Sequence, residues 1–202
     1  DLLVGGKLSG NYDDFDIGAL AVRTNGAGAI GGQFLSAARI SIPVLDHSKL
    51  GIILTNGDPA GTSRNSLVGA DFQFRDPNLI PGKELLADAF FEHSFSNTVG
   101  DDDTFGFDVN FPNEPWSAVL KFRNIGEHFD PALGFVSRPG IREYNGNIVR
   151  RIRFSDGFVR WYETGVWYDV YTGLNNTTQS SLEGAWTGAF TQRGEFGMLE
   201  TW

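Results

Sequence analysis

The chain has 202 residues, of which 41% are hydrophobic, 13% are aromatic and 20% are charged, and it contains no cysteine. This composition excludes a disulfide-stapled scaffold and an intrinsically disordered chain. A formal net charge of −9 weighs against a nucleic-acid partner, whose phosphates need a basic surface. The 26 glycines and the lack of a run of roughly 18 or more apolar residues weigh against helical bundles and membrane-spanning helices. They favour β structure.

Alternation of apolar and polar residues with a period of two is the dominant pattern. It is clearest at residues 104–111, where Phe105, Phe107, Val109 and Phe111 share one face of a strand. We therefore predict an all-β fold of about twelve strands, at residues 2–10, 15–23, 33–42, 50–55, 65–75, 85–95, 104–111, 116–123, 148–154, 158–172, 181–191 and 194–202.

The predicted links between these strands mostly alternate between shorter and longer segments. Tight turns at one rim and longer loops at the other are typical of an up-and-down antiparallel β-barrel in an outer membrane. The exception is the link at 76–84, with Pro77 and Pro81, which is long where a short one is expected. The rhythm predicts a transmembrane barrel, because a soluble sandwich has no reason to follow it.

The two faces of the strands separate a barrel in lipid from a β-sandwich in water. In lipid, the apolar face points outward and the polar face lines a wet interior. The residues that would line this lumen are Asp71, Gln73, Arg75, Asp88, Glu92, Asp108, Lys121, Arg123, Arg151 and Arg153. In a soluble sandwich the same side chains would face solvent. Aromatic residues near the predicted strand ends, such as Trp116 and Trp202, favour the membrane barrel, where aromatic girdles lie at the interfaces.

The positions of the short turns predict whether these residues contain all strands of the barrel. If short turns mark the periplasmic rim, the first strand starts and the last strand ends at the outer rim. Single-chain barrels have even strand numbers, and we expect both termini on the periplasmic side, so at least one further strand is expected at each end. We expect residues 1–202 to be one segment of a larger barrel, with no second domain, and to be a processed product or a piece of a longer chain, because Asp1 starts without a leader.

The most distinctive stretch of the sequence is Glu-His-Phe-Asp-Pro-Ala-Leu-Gly-Phe-Val-Ser-Arg-Pro-Gly-Ile-Arg at 127–142. It resembles the Phe-Asn-Pro-x-Leu-Gly-Phe-x-x-Arg signature of a large family of bacterial outer-membrane proteins of undefined function. Members of that family join an N-terminal carbohydrate-binding-like domain to a C-terminal barrel. Asp130 stands where the family more often has asparagine, and residues 34–74 also look like the family.

The resemblance implies the barrel portion of a protein in the outer membrane of a Gram-negative bacterium, without the carbohydrate-binding-like domain. It brings no catalytic residues and no cofactor. The long predicted link at 124–147 is rich in proline and glycine, and we expect it to fold into the lumen as a plug or constriction, or else to be an ordinary extracellular loop. The residues assigned to the plug are Phe129, Asp130, Phe135, Arg138 and Arg142.

Catalytic chemistry has little support in the sequence. The only imidazole bases are His47, His93 and His128, and none adjoins a Gly-x-Ser-x-Gly nucleophile motif. We therefore expect a protein without enzymatic activity and without a cofactor.

The acidic run at 101–103 is a candidate metal site. Asp101, Asp102 and Asp103 would offer oxygen ligands for calcium, but the EF-hand spacing fails because Pro112 stands where a glutamate is needed. They are a weak metal candidate, and a solvated loop tip is the alternative.

The expected function is a channel, a porin-like or transporter-like pore, or an anchoring platform in the outer membrane. Its expected partners are outer-membrane lipid and other envelope proteins or glycans, and no nucleic acid is expected to bind. Two alternatives stay open. One is a soluble carbohydrate-binding β-sandwich in which Trp161, Trp167 and Tyr168 stack on sugar rings, and the other is a structural subunit of a larger envelope assembly.

Overall fold

The fold is a meander of β-strands that are neighbours both in sequence and in the sheet. The computed structural model describes residues 1–26, 28 and 30–202, with the backbone alone at residue 78, and this part of the chain contains strands and no helix. The strands are β1 (Leu2–Tyr12), β2 (Phe15–Thr24), β3 (Phe34–Val44), β4 (Ser48–Asn56), β5 (Asn65–Ile80), β6 (Lys83–Ser96), β7 (Asp102–Pro112), β8 (Trp116–Ile125), β9 (Ile141–Arg153), β10 (Val159–Gly173), β11 (Thr178–Thr191) and β12 (Phe196–Thr201). The predicted all-β antiparallel architecture is confirmed.

All twelve strands belong to one sheet, in the order β1 to β12. Within the described residues β1 and β12 are not hydrogen-bonded to each other, so the sheet is not closed. Among the same residues there is no helix with the length and hydropathy to cross a membrane. Closure into a barrel and a position in a membrane therefore stay predictions.

The chain forms two compact units. The first unit consists of Asp1–Phe74, Asp88–Gly106 and Asn124–Ile141. The second unit consists of Arg75–Ala87, Phe107–Arg123 and Arg142–Trp202.

The link between β5 and β6 is much shorter than the sequence predicts. Both strands run to the turn, so that only Pro81 and Gly82 remain between them, and the predicted link at 76–84 is wrong. Proline at the first central position of a turn and a glycine with a φ of 70° at the second are the residues that a tight type II turn needs. Because this turn occupies two residues, that exception disappears, and short and long links alternate from β1 to β9. The last three links, at 154–158, 174–177 and 192–195, have five, four and four residues, so the predicted alternation is wrong there.

The predicted loop at 124–147 is also shorter in the structure. β8 continues to Ile125 and β9 begins at Ile141, so the loop covers 126–140. The sequence hides the start of β9 because polar residues occupy both of its faces, as Arg142 and Glu143 show, and alternation is then lost. The predicted link at 24–32 includes residues 27 and 29, which lie outside the described residues.

In the first unit the strand register sorts the side chains into a polar and an apolar face. Residues that are directly opposite in an antiparallel pair share a face. Gly51 lies opposite both Ser41 and Asp71, and Ile52 lies opposite both Ile40 and Ala70. One face, the polar face of the first unit, thus carries Asp16, Arg39, Lys49 and Asp71, and the other, its apolar face, carries Ile40, Leu50, Ile52, Leu54, Val68 and Phe72.

Burial in the first unit is reversed relative to a water-soluble protein. On the apolar face, Ile52 is 46% exposed and Leu54 is 51% exposed. On the polar face, Asn65 and Ser94 are buried, at 4% and 0% exposure. In a soluble domain the apolar face of a sheet packs against a core and the polar face is wet.

In the second unit, the register of β10 to β12 likewise defines a face that contains charge. Glu163 lies opposite Gly188, and Gly188 lies opposite Met198. By alternation, Trp161, Trp167, Asp169 and Tyr171 share this face with Glu163, and we call it the polar face of the second unit. The opposite face carries Tyr162, Val166 and Leu199, which are all exposed.

Candidate functional site

Charged side chains on the polar face of the first unit pair across neighbouring strands. Arg39 of β3 donates two hydrogen bonds to the Asp71 carboxylate of β5, at 2.6 and 2.8 Å. They reach across the intervening strand because Gly51 of β4 has no side chain, and a Cβ there would lie 2.5 Å from the guanidinium. Lys49 makes a second pair with Asp16, at 2.8 Å.

The other residues of the first unit that were predicted to line a lumen lie on this same face. Gln73 is directly opposite Lys49. Glu92 of β6 lies against Gly69, where a Cβ would come within 2.8 Å of its Cγ. Asp88 precedes Glu92 by four residues in β6 and shares its face by alternation.

Charges also pair in the second unit. Lys121 of β8 contacts Asp108 of β7 at 3.0 Å, and Arg123 lies 4.0 Å from Glu143 of β9. Arg75, at the start of this unit, donates to the backbone oxygen of Ala87 at 3.2 Å.

A cluster of four charges lies where the turn between β7 and β8 meets β9 and β10. Arg153 donates two hydrogen bonds of 2.6 Å to Glu114, and Arg151 bonds both Glu114 at 3.2 Å and Glu163 at 2.7 Å. Hydrogen bonds from Arg153 and Arg151 lower the pKa of the Glu114 carboxyl to about 2. Glu114 is therefore a carboxylate near neutral pH.

The sequence predicts both members of the Lys121–Asp108 pair, neither member of the Lys49–Asp16 pair and one member of each other pair. The missed partners are Asp16, Arg39, Lys49, Glu114, Glu143 and Glu163. Pairing across strands depends on the register, which alternation within a single strand does not contain. Alternation could have placed Arg39 on the polar face of β3, but no local signal identifies Asp71 as its partner.

The loop at 126–140 is folded over the polar face of the first unit. Asn65 at the start of β5 donates to the backbone oxygen of Asp130 at 2.7 Å and accepts from the amide of Ala132 at 3.2 Å. Ser94 of β6 accepts from the Asp130 amide at 3.1 Å, and Asp102 of β7 accepts from the His128 amide at 2.9 Å. Three strands thus hold the loop in one position.

The residues assigned to the plug divide into two groups. Phe129 is buried at 5% exposure, and the Asp130 carboxylate accepts hydrogen bonds from Asn65 and Ser96. Phe135 stands 88% exposed at the tip of the loop, and Arg138 lies further along it.

The assignment of Arg142 to the loop is wrong. It is the second residue of β9, because this strand begins earlier than predicted, and it donates a hydrogen bond to Asn176 in the turn between β10 and β11.

An open cavity of about 630 Å³ lies among the loops of the first unit. The loop at 126–140 contributes His128, Phe129 and Phe135, the loop at 57–64 contributes Asp58, and the loop at 97–101 contributes Val99. The Asp58 carboxylate is buried, which by itself would raise its pKa. Hydrogen bonds from the Ala60 amide and from Thr62 and Ser63 outweigh that effect and lower the pKa to about 2.

The three carboxylates at 101–103 have different partners. Asp101 accepts from the Ser96 amide, Asp102 accepts from the amides of Asp103 and His128, and Asp103 contacts the His93 ring at 2.5 Å. In the part of the chain that the structure describes, no three His, Asp or Glu side chains converge in a way that could hold a metal ion.

Comparisons with known proteins add no further constraint. No protein-family model matches the chain, and no curated protein or solved structure is significantly similar to it.

Proposed function

We propose that this chain forms the wall of a β-barrel in a bacterial outer membrane, and that the barrel is a channel whose lumen is narrowed by the loop at 126–140. The resemblance of residues 127–142 to a family of outer-membrane barrels supports the proposal. The up-and-down order of the strands and the alternation of short and long links from β1 to β9 are also those of outer-membrane barrels.

The observation that carries the proposal is the polarity of the two faces. Exposed Ile52, Leu54 and Val68 form a continuous apolar surface, whereas ion pairs such as Arg39–Asp71 occupy the opposite face. Large exposed apolar surfaces on soluble proteins are unfavourable, but lipid solvates such a surface well. Charges that face a wet lumen retain water and each other, so they avoid the cost of burial in hydrocarbon.

The edges of the sheet add a condition to the proposal. Hydrocarbon leaves an unpaired backbone group unsatisfied at a cost of several kcal/mol, so no open edge lies within a membrane. The outer edges of β1 and β12 must then be hydrogen-bonded in the assembled barrel, to each other or to further strands.

The position of the loop supports a narrowed channel more than an open pore. Asn65, Ser94 and Asp102 hold its backbone over the polar face, which is the lumenal face of the proposed barrel. An anchoring platform would be blocked completely, whereas a narrowed channel passes ions. A soluble sandwich has two sheets packed face to face, and the single sheet observed does not favour it.

Membrane insertion and conductance test the proposal in turn. The purified protein is refolded into detergent and added to planar bilayers, and a narrowed channel gives discrete current steps. Asn65→Ala removes the two hydrogen bonds to the loop backbone and is expected to raise the unit conductance. Asn175→Ala is the matched control, because Asn175 accepts a hydrogen bond from the amide of Thr177 in a different loop.

Three outcomes separate the candidates. Current steps that grow in Asn65→Ala and not in Asn175→Ala support the narrowed channel. Stable insertion into vesicles without any current supports the platform instead. A protein that stays monomeric in buffer without detergent contradicts the membrane assignment.

A further inference from the structure

Three of the five tryptophans of the chain lie on the polar face of the second unit. In the pairing of β10 with β11, Trp161 is opposite Phe190, Trp186 is opposite Gly165, and Trp167 is opposite Gly184. All of these positions alternate in phase with Glu163. A lipid-facing girdle would place the indoles on the other face, so their position beside the charges needs a different explanation.

Two of the indoles lie directly against glycine backbone. A Cβ on Gly165 would be 2.5 Å from Trp186, and a Cβ on Gly184 would be 2.8 Å from Trp167. Any larger residue at either glycine would push the ring away from the sheet. Each of these two indoles remains partly exposed.

Charged groups border the rings. The Arg151 guanidinium lies 4.9 Å from the centre of the Trp161 ring, and Arg151 also bonds Glu163. The indole N–H of Trp186 points to Glu163 at 3.5 Å. Trp161 stacks on Phe190, with ring centres 5.5 Å apart and planes 6° apart. The aromatic surface from Trp161 to Trp167 extends roughly 20 Å along the strand, at about 3.3 Å per residue.

We propose that the face formed by Trp161, Trp167 and Trp186, together with Arg151 and Glu163, binds a linear saccharide chain. A pyranose ring has apolar C–H faces, which pack on indole rings. Its edge carries hydroxyl groups, which need charged or polar partners. This surface offers indole rings and charged groups next to each other. An apolar ligand would leave Arg151 and Glu163 desolvated beside it. A nucleic acid would also stack on the indoles, but Glu163 and Asp169 on the same face would repel its phosphates.

The saccharide proposal goes beyond the proposed function and depends on it in one respect. If the chain is an outer-membrane barrel, this face lines the lumen, and the indoles are arranged along the path of a saccharide that passes through it. The binding itself requires only the folded sheet.

Binding is measured by tryptophan fluorescence and calorimetry on the protein in detergent, with maltohexaose, cellohexaose and chitohexaose as probes. At least one of the three is expected to bind. Trp167→Ala and Trp186→Ala should each weaken that binding by roughly tenfold, because each removes one stacking surface. Tyr162→Ala is the matched control, since Tyr162 is an exposed aromatic residue of the same strand on the opposite face.

A second pair of variants separates loss of saccharide binding from loss of folding. Trp167→Phe keeps a smaller ring over Gly184 and should retain intermediate affinity at an unchanged thermal midpoint, whereas Glu163→Gln should weaken binding without loss of the aromatic surface. Absence of binding of all three probes by the natural protein overturns the proposal. Equal losses in Tyr162→Ala and Trp167→Ala overturn it as well. Saccharide binding by a protein that does not insert into membranes would contradict the barrel alone.

Discussion

Asp58 shows how a single side chain organises a long loop. Its carboxylate accepts hydrogen bonds from the amides of Ala60, Thr62 and Ser63 and from two hydroxyls. These donors come from within five residues, so the carboxylate closes the loop on itself. The anionic form is the one that they stabilise, and for this reason the pKa falls to about 2.

The depressed pKa of Asp58 predicts a loss of stability in acid. A carboxyl with a folded pKa below its unfolded value of 3.8 stabilises the fold above about pH 4, and this contribution is lost as the pH falls from about 4 towards about 2. We expect the loss to be about 1 to 2 kcal/mol. Thermal midpoints in detergent between pH 6 and pH 2 measure it.

Asp58→Asn is the comparison for this titration, because the amide cannot ionise. The variant should be less stable at neutral pH and should lack the part of the acid transition that Asp58 causes. Identical pH profiles for the two proteins would show that the hydrogen bonds around Asp58 do not stabilise its anionic form.

Glu114 is the second carboxylate with a pKa of about 2, but it lies at the surface, where solvent and salt screen its two arginines. Glu114→Gln is expected to lower the thermal midpoint slightly at low ionic strength. The difference should vanish near 1 M salt, where screening extends over roughly 3 Å. A difference of the same size at high salt would indicate that packing, and not charge, is lost.

At the level of residues, the sequence predicts which side of a strand a charge occupies but not its partner. Alternation alone places Asp71 and Arg151 on a polar face. Their partners Arg39 and Glu163 follow only from the register and from glycine positions such as Gly51, where the missing side chain lets charges meet across a strand. No local sequence pattern identifies Asn65 and Ser94 as the residues that bind the loop, because this contact also depends on the strand register.

At the level of structural elements, a substitution in the turn between β5 and β6 tests whether Pro81 and Gly82 form a type II turn. Gly82 has a φ of 70°, which is costly for a residue with a side chain. We expect Gly82→Ala to destabilise the protein by about 1 to 2 kcal/mol, measured by urea unfolding in detergent. Gly18→Ala in β2 is the control, because its Cβ would meet nothing within 4 Å and its φ is not positive.

The failure of the two wrong links has a physical cause. Pro77 suggested an early end to β5, but the strand continues past it to Ile80, and Pro81 with Gly82 makes the turn. At the start of β9, polar residues on both faces removed the period of two on which strand prediction depends. Alternation predicts strands that have one apolar face, but it predicts too short a strand where both faces are polar, as at the start of β9.

At the level of the whole molecule, each unit has its own pair of faces. In the first unit an exposed apolar face lies opposite a face that carries ion pairs, and in the second unit the face that contains Glu163 carries three tryptophans. The number of strands and their order were predictable, since both follow from alternation and short connections. Closure was not, because a barrel closes through hydrogen bonds between strands that are far apart in sequence. If the chain lies in a membrane, lipid contacts the apolar face and water contacts the polar face. If it does not, no lipid covers the apolar face.

Site-directed spin labelling of two adjacent isoleucines tests the membrane barrel most directly. The chain has no cysteine, so Ile52→Cys and Ile53→Cys each provide one labelling site, on the apolar and on the polar face of β4. In lipid vesicles, a barrel predicts that a nitroxide at 52 collides mainly with oxygen and that one at 53 collides more with a water-soluble nickel chelate. Equal access of the nickel chelate to both sites, or a label at 52 shielded from both reagents, would contradict the barrel.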